Sequence, residues 1–240
     1  MKENENRLLR SKIIIGVVAK HNGETKKRPN TYIRDEVKQA IFDNDAIAIG
    51  ILPPENTIKL CGNDWQDTLT EKERGDLINQ IFLCDGIIIQ GGPQNDEYEN
   101  VISKYCYDNN IPILGICAGQ NTIVRALGGT TFKIINPEKH NNTTDDYVHN
   151  IKINTDSRFY NVIQKNEIMV NSRHNNSVEN CPLLDKVAFC EDGYADVVES
   201  KDKDFYIGVR FHPESLYKID ENHNRIFKEF IKICKNRSNK

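Results

Sequence analysis

Cys117 stands at the centre of Gly115-Ile116-Cys117-Ala118-Gly119, after the apolar run Ile111-Pro112-Ile113-Leu114 and before a helical pattern that ends at Gly128-Gly129. A nucleophile at the apex of a strand-to-helix turn, with glycine on both sides, has the layout of a nucleophile elbow. The strand aims the thiol at the top of a sheet, and the helix turns its unpaired N–H groups, the positive end of its dipole, toward the same point. Such a cysteine attacks a carbonyl carbon when a base holds it as thiolate and a third group orients that base.

Six histidines are available as the base. His21, His140, His149 and His223 fall in segments of loop, loop-to-strand or exposed helix-end character, where an ordinary surface histidine is expected. His212 differs, because it closes the apolar run Phe205 to Phe211, and open α/β sheets gather function at such strand ends. Pro213 disfavours helical backbone at His212 and pushes it toward an extended form. Residues two apart in extended chain point the same way, so Glu214 is expected beside the imidazole. Cys117, His212 and Glu214 then fill the roles of nucleophile, base and orienter.

The elements that must position these groups alternate. Ile13 to Ala19 is a β-branched run of the kind buried on both faces in a parallel sheet. A polar loop over Lys20 to Asn30, a helix over Tyr32 to Asp43 and a strand over Ala46 to Leu52 follow. A charged amphipathic helix over Leu69 to Phe82 leads to the strand Ile87-Ile88-Ile89, which runs into Gln90-Gly91-Gly92-Pro93. A helix over Tyr98 to Asp108 then leads to the strand Ile111 to Leu114 and the elbow. Four strand–helix alternations imply an α/β fold with parallel crossovers and helices on both faces. After Gly129 the pattern changes to short alternating strands: Thr130 to Ile135, Val148 to Ile153, Glu167 to Val170, and a hairpin of Val187 to Cys190 with Tyr194 to Glu199 turning at Asp192-Gly193. Asn136 to Asp146 reads as a surface loop, and Glu221 to Cys234 as a closing helix. With 240 residues, no repeat and no linker, the chain is expected to be a polar tail over residues 1–12 and one domain over 13–240.

Taken together, GICAG after a strand, GGP after an earlier one and GVRFHPES near the C-terminus resemble class I glutamine amidotransferases. IIIGVVA with Leu52-Pro53, DGIIIQGG followed by Tyr98, and Val170-Asn171-Ser172-Arg173-His174 are similar to the γ-glutamyl-γ-aminobutyrate hydrolase branch. The resemblance covers roughly residues 13 to 232. It implies a flavodoxin-like, mostly parallel central sheet flanked by helices, with an additional small antiparallel sheet. It also implies that Cys117 attacks the γ-carbonyl of a γ-glutamyl amide, that His212 shuttles protons, and that Glu214 orients His212. The backbone N–H groups of Gly92 and Ala118 would hold the oxyanion of the tetrahedral intermediate. Gln120, Asn121, Asn171, Ser172 and His174 would sit near the substrate.

Three letters depart from that pattern. Asn121 and Asn176 stand where glutamine is usual, each shortening a polar arm by one methylene. Ala118 stands where the branch commonly has arginine, which is expected to take charge away from the pocket rim.

The function expected is hydrolysis of a γ-glutamyl amide through a thioester on Cys117, with a small-molecule substrate similar to γ-glutamyl-γ-aminobutyrate. The alternatives are a glutaminase subunit that passes ammonia to a partner synthase, and a non-enzymatic binding protein of the same fold. The chemistry calls for no cofactor and no metal, and a homodimer is compatible with the sequence. A net charge of −3 without a clustered basic footprint gives no case for a nucleic-acid partner. Seven scattered cysteines without a C-x-x-C pair, no apolar leader and no run of membrane-spanning length point to reduced thiols in a cytoplasmic protein.

Overall fold

The computed structural model describes residues 12–21, 30–54, 59–92 and 96–238. All of the expected polar tail but Lys12 and most of the loop over 20–30 lie outside these, as does Pro93. Nine strands form one sheet: β1 (Ile14–Val18), β2 (Ile47–Ile51), β3 (Gly86–Ile89), β4 (Ile113–Ile116), β5 (His149–Ile153), β6 (Glu167–Val170), β7 (Asp185–Cys190), β8 (Ala195–Glu199) and β9 (Tyr206–Val209). Their order across the sheet is β6-β5-β7-β8-β9-β4-β3-β1-β2. The half from β9 to β2 is parallel and the half from β6 to β8 is antiparallel, with β8 pairing antiparallel to β9 at the junction. Much of the antiparallel material therefore extends the main sheet. Two-stranded pieces lie beside it, among them Thr130–Lys133 with Asn176–Asn180.

The β-branched runs explain why the sheet is central. Ile15 and Val17 of β1, Ile88 of β3, Leu114 and Ile116 of β4, and Ile207 and Val209 of β9 pack on one face, against the helices α1 (Asp35–Asp43), α5 (Arg158–Ile163) and α6 (Glu221–Ser238). Their alternate neighbours Val18, Ile87, Ile89, Ile113 and Tyr206 pack on the other face, against α2 (Glu71–Ile81), α3 (Glu97–Asp108) and α4 (Ala118–Ala126). This is the period-two allocation of a doubly covered sheet.

Boundaries shifted where local chemistry intervened. α1 starts at Asp35 and not at Tyr32, because Arg34 is extended (φ −69°, ψ 132°). α2 starts after Thr70, which forms a capping box with Glu73. β4 runs two residues further than its apolar letters and carries the chain straight into the elbow. α5 has only six residues and too short a pattern to announce itself.

The carboxyl ends of β3, β4 and β9 lie side by side, with Ile89 opposite Gly115 and Val209 opposite Ile116. A buried framework fixes the loop after β3. Gln90 donates to the carbonyls of Val18 and Tyr32 and accepts from the N–H of Arg34. The Lys20 ammonium lies 2.6 Å from a Glu99 carboxylate oxygen, both groups buried, and its alkyl stem runs against Gly92, where a Cβ would come within 3.2 Å of Lys20 Cγ. Thr122 of α4 donates to the same carboxylate. Breaking a buried ion pair from one side strands the other charge. Lys20→Met is therefore expected to lower stability by about 3–5 kcal/mol in urea unfolding, and Lys20→Met/Glu99→Leu to recover much of that loss.

Candidate active site

Cys117 has φ 52° and ψ −103°, a conformation rarely adopted by a residue with a side chain. Its N–H donates to Val209 O, and its own carbonyl accepts from Gln120 N, so the strain is held from both sides. The flanking glycines have steric causes. A Cβ on Gly119 would lie 2.0 Å from Ile89 O, and one on Gly115 would lie 2.6 Å from Gly119 O. Strand, turn and helix are thus packed backbone to backbone, and the thiol sits at the N-terminal end of α4, where Ala118 is the first helical residue.

His212 enters from the end of β9. Its Nδ1 is 2.7 Å from Glu214 Oε1, and its side chain is hydrogen-bonded to Cys117. His212 and Glu214 are 6% and 1% exposed. The way Glu214 reaches the ring corrects the sequence argument. Pro213–Ser215 is a 3-10 turn that follows His212, so the carboxylate returns through a turn and not along an extended chain. Asn171 clamps the histidine backbone: its Oδ1 accepts from His212 N at 2.7 Å and its Nδ2 donates to His212 O at 2.8 Å. Gly91 lies beneath the pair, where a Cβ would come within 2.8 Å of His212 Cε1 and 3.3 Å of Cys117 Cβ.

Electrostatics separates Cys117 from every other thiol. Burial raises Cys61, Cys84, Cys106, Cys181, Cys190 and Cys234 above the ordinary value. Burial also acts on Cys117, but the charge and hydrogen bond of His212, with Arg210 behind, outweigh it and bring the thiol down. For His212 burial disfavours the imidazolium, yet Glu214 and Cys117 overcome it and hold the ring up to about 10. Both shifts therefore run toward the thiolate–imidazolium form of the pair.

A cavity of about 380 Å³ opens on Cys117 and is lined by Gly92, Ala118, Asn121, Asn176, His174 and three arginines, Arg125, Arg173 and Arg210. No acidic side chain is among the described residues that line it. The loss of charge expected from Ala118 is thus reversed by the arginines. Arg210 is the residue that sequence reasoning missed. It is 1% exposed, donates to Asn121 Oδ1 at 2.8 Å, and leaves its Nε and one terminal nitrogen without a hydrogen-bond partner. Burial lowers it to about 10, so it stays charged at neutral pH. The signal was present: one arginine inside the apolar run Phe205 to Phe211.

Of the expected substrate contacts, Asn121 and His174 line the cavity, while three others turn elsewhere. Gln120 donates to Asp196 O and Gly208 O and packs α4 onto the sheet. Ser172 donates to His140 O, and Asn171 is committed to the His212 backbone. These three are framework because their polar atoms satisfy buried backbone groups. His174 donates from Nδ1 to Asn176 O. Burial, with Arg210, His140 and His149 adding to it, lowers the ring to about 2, so it stays neutral. The expectation of surface histidines fails at His140 and His223, which are 3% and 0% exposed.

The chain is similar to several known proteins. A family model described as Peptidase C26 matches residues 90–214. A glutamine-hydrolysing GMP synthase component of Methanococcus aeolicus is 30% identical over 151 residues, covering 62% of this chain and 73% of the relative. Anthranilate synthase component 2 of Cyanophora paradoxa is 34% identical over 152 residues, covering 61% and 74%. The match to the GMP synthase of Prochlorococcus marinus, 32% identical over 61% of this chain, spans only 26% of that protein. Among solved structures, a Thermoplasma acidophilum protein described as a GMP synthase component superposes with a TM-score of 0.67 at 19% identity, covering 95% of this chain and 96% of that one.

The charge pair sets the expected pH dependence. If Cys117 and His212 act as nucleophile and proton carrier, kcat/KM should fall on the alkaline side as His212 deprotonates near pH 10. On the acid side it should fall as Cys117 takes up a proton, below the ordinary thiol range. Glu214→Gln removes the negative charge that favours imidazolium. Its alkaline limb should move to lower pH, with activity reduced roughly 10²–10⁴-fold. An unmoved limb would count against Glu214 as the orienting group.

Proposed function

The chain belongs to the Peptidase C26 family, whose class I glutamine amidotransferase-like members are cysteine hydrolases of amide bonds, and from that membership we propose that it is a glutaminase subunit that releases ammonia from the side-chain carboxamide of glutamine for a partner synthase. The observation that carries this is the single lowered thiol in the chain, in contact with a buried imidazolium and facing a cavity.

In the proposed reaction Cys117 Sγ adds to the carboxamide carbon. The backbone N–H groups of Gly92 and Ala118 receive the oxyanion, and His212 gives its Nε2 proton to the departing amine, since Nδ1 is held by Glu214. Collapse breaks the C–N bond and leaves a γ-glutamyl thioester. Neutral His212 then takes a proton from water, whose oxygen attacks the thioester, and release of glutamate restores thiolate and imidazolium. Both protonation changes fall on one ring, so no other acid or base is needed. The relatives whose names include glutamine hydrolysis or a synthase component support the choice of glutamine and of a synthase partner.

One feature favours a second assignment, hydrolysis of a γ-glutamyl amide such as γ-glutamyl-γ-aminobutyrate without a partner. Arg125, Arg173 and Arg210 offer positive charge that a leaving amine bearing a carboxylate would use and ammonia would not. A substrate panel separates the two. The glutaminase assignment predicts ammonia release from glutamine that increases when the cognate synthase is added, and a lower kcat/KM for γ-glutamyl-γ-aminobutyrate. A more than tenfold preference for γ-glutamyl-γ-aminobutyrate by the chain alone would favour the second assignment. In either case Cys117→Ala should reduce turnover by roughly 10⁴-fold or more.

A further inference from the structure

Behind the wall of the cavity, three segments that are distant in sequence bring metal-binding groups together. His140 follows the turn Pro137–Lys139, His149 opens β5 and Cys190 closes β7. One ligand atom from each lies within 4.8 Å of the others. His140 and Cys190 are 3% and 6% exposed, and the two imidazole centroids are 5.4 Å apart.

The hydrogen bonding around them is incomplete in a consistent way. His140 Nε2 lies 3.3 Å from Asp192 Oδ2, and His149 Nε2 lies 3.5 Å from Asp196 Oδ1. Nδ1 of both rings is buried without a hydrogen-bond partner, and the His149–Asp196 approach does not meet hydrogen-bond geometry either. A carboxylate beside one ring nitrogen, with the other nitrogen unused, is the arrangement that fixes the tautomer of a metal-binding histidine. Buried polar atoms without partners call for an explanation, and here several meet at one point beside a thiol.

We propose that His140, His149 and Cys190 bind a zinc ion. Two imidazoles and a thiolate form a donor set suited to zinc, and water can complete a tetrahedron. Binding forms two Zn–N bonds and one Zn–S bond and releases the Cys190 thiol proton to solvent. Zinc holds such donors at about 2.0–2.3 Å, which sets them roughly 3.3–3.7 Å from one another, so the groups close by up to about 1.5 Å through side-chain rotation.

The site would act on the cavity through one residue. His140 O accepts from Ser172 Oγ and from the N–H of His174, and the His140 ring lies 5.4 Å from that of His174, which lines the cavity. Zinc would therefore tie the cavity wall to the antiparallel half of the sheet. It stands apart from the thioester chemistry and does not depend on which amide is cleaved.

The test uses the full chain with Cys117→Ser, which removes the catalytic thiol as a competing ligand. Protein stripped with a chelator is titrated with Zn²⁺ alone, dialysed and measured for metal, and a second sample is loaded with Co²⁺. One zinc retained per chain and a thiolate-to-cobalt charge-transfer band are expected, with the band lost in Cys190→Ser and retention lost in His149→Gln. Circular dichroism establishes that each variant is folded, and if one variant does not fold the other carries the comparison. No zinc retained after dialysis, or an unchanged band or stoichiometry in a folded variant, overturns the proposal.

Discussion

The contact between the Cys117 thiol and the His212 imidazole, each drawn toward its charged form by the other, is the interaction on which the rest of this structure depends. Neither charge would survive alone in that place, since burial opposes both. They persist because each stabilises the other and because Glu214 behind the ring and Arg210 behind the thiol balance what remains. The strained backbone at Cys117, the glycine contacts of the elbow and the Asn171 clamp on His212 hold the two groups in contact. The parallel half of the sheet serves the same end, because it sets the ends of β3, β4 and β9 flush.

Much of this was legible in the sequence. The β-branched runs announced strands buried on both faces, and their alternation with amphipathic helices announced the parallel half of the fold. The G-x-C-x-G spacing expressed a close packing of backbones that only glycine allows. Less legible were contacts between distant segments. Gln120 and Asn171 look like any polar residues near a catalytic motif; the commitment of Gln120 appears only when α4 meets β8 and β9, and that of Asn171 when the end of β6 meets the end of β9. His140 and His223 sit in polar stretches, and no local pattern reveals that the chain folds over them. An extended chain would put Glu214 beside His212, whereas the contact is made through a 3-10 turn.

Arg210 marks where this chain differs in character from a neutral pocket. A guanidinium with no acid to pair it among the cavity-lining residues makes the cavity attractive to anionic groups and lends support to the thiolate. It also takes up the oxygen of Asn121, so the shortened arm at that position is engaged with the protein. The Cys117 turn and the Asn121 side of the cavity are therefore joined through one buried cation.

The most direct measurement is intact-protein mass spectrometry after rapid acid quench of the enzyme turning over glutamine or γ-glutamyl-γ-aminobutyrate, with peptide mapping of the adduct. A γ-glutamyl group on the peptide that carries Cys117, removed by hydroxylamine and absent from Cys117→Ala, is the result predicted by a thioester mechanism. Turnover with no adduct on Cys117, or an adduct that persists when Cys117 is replaced, would contradict it.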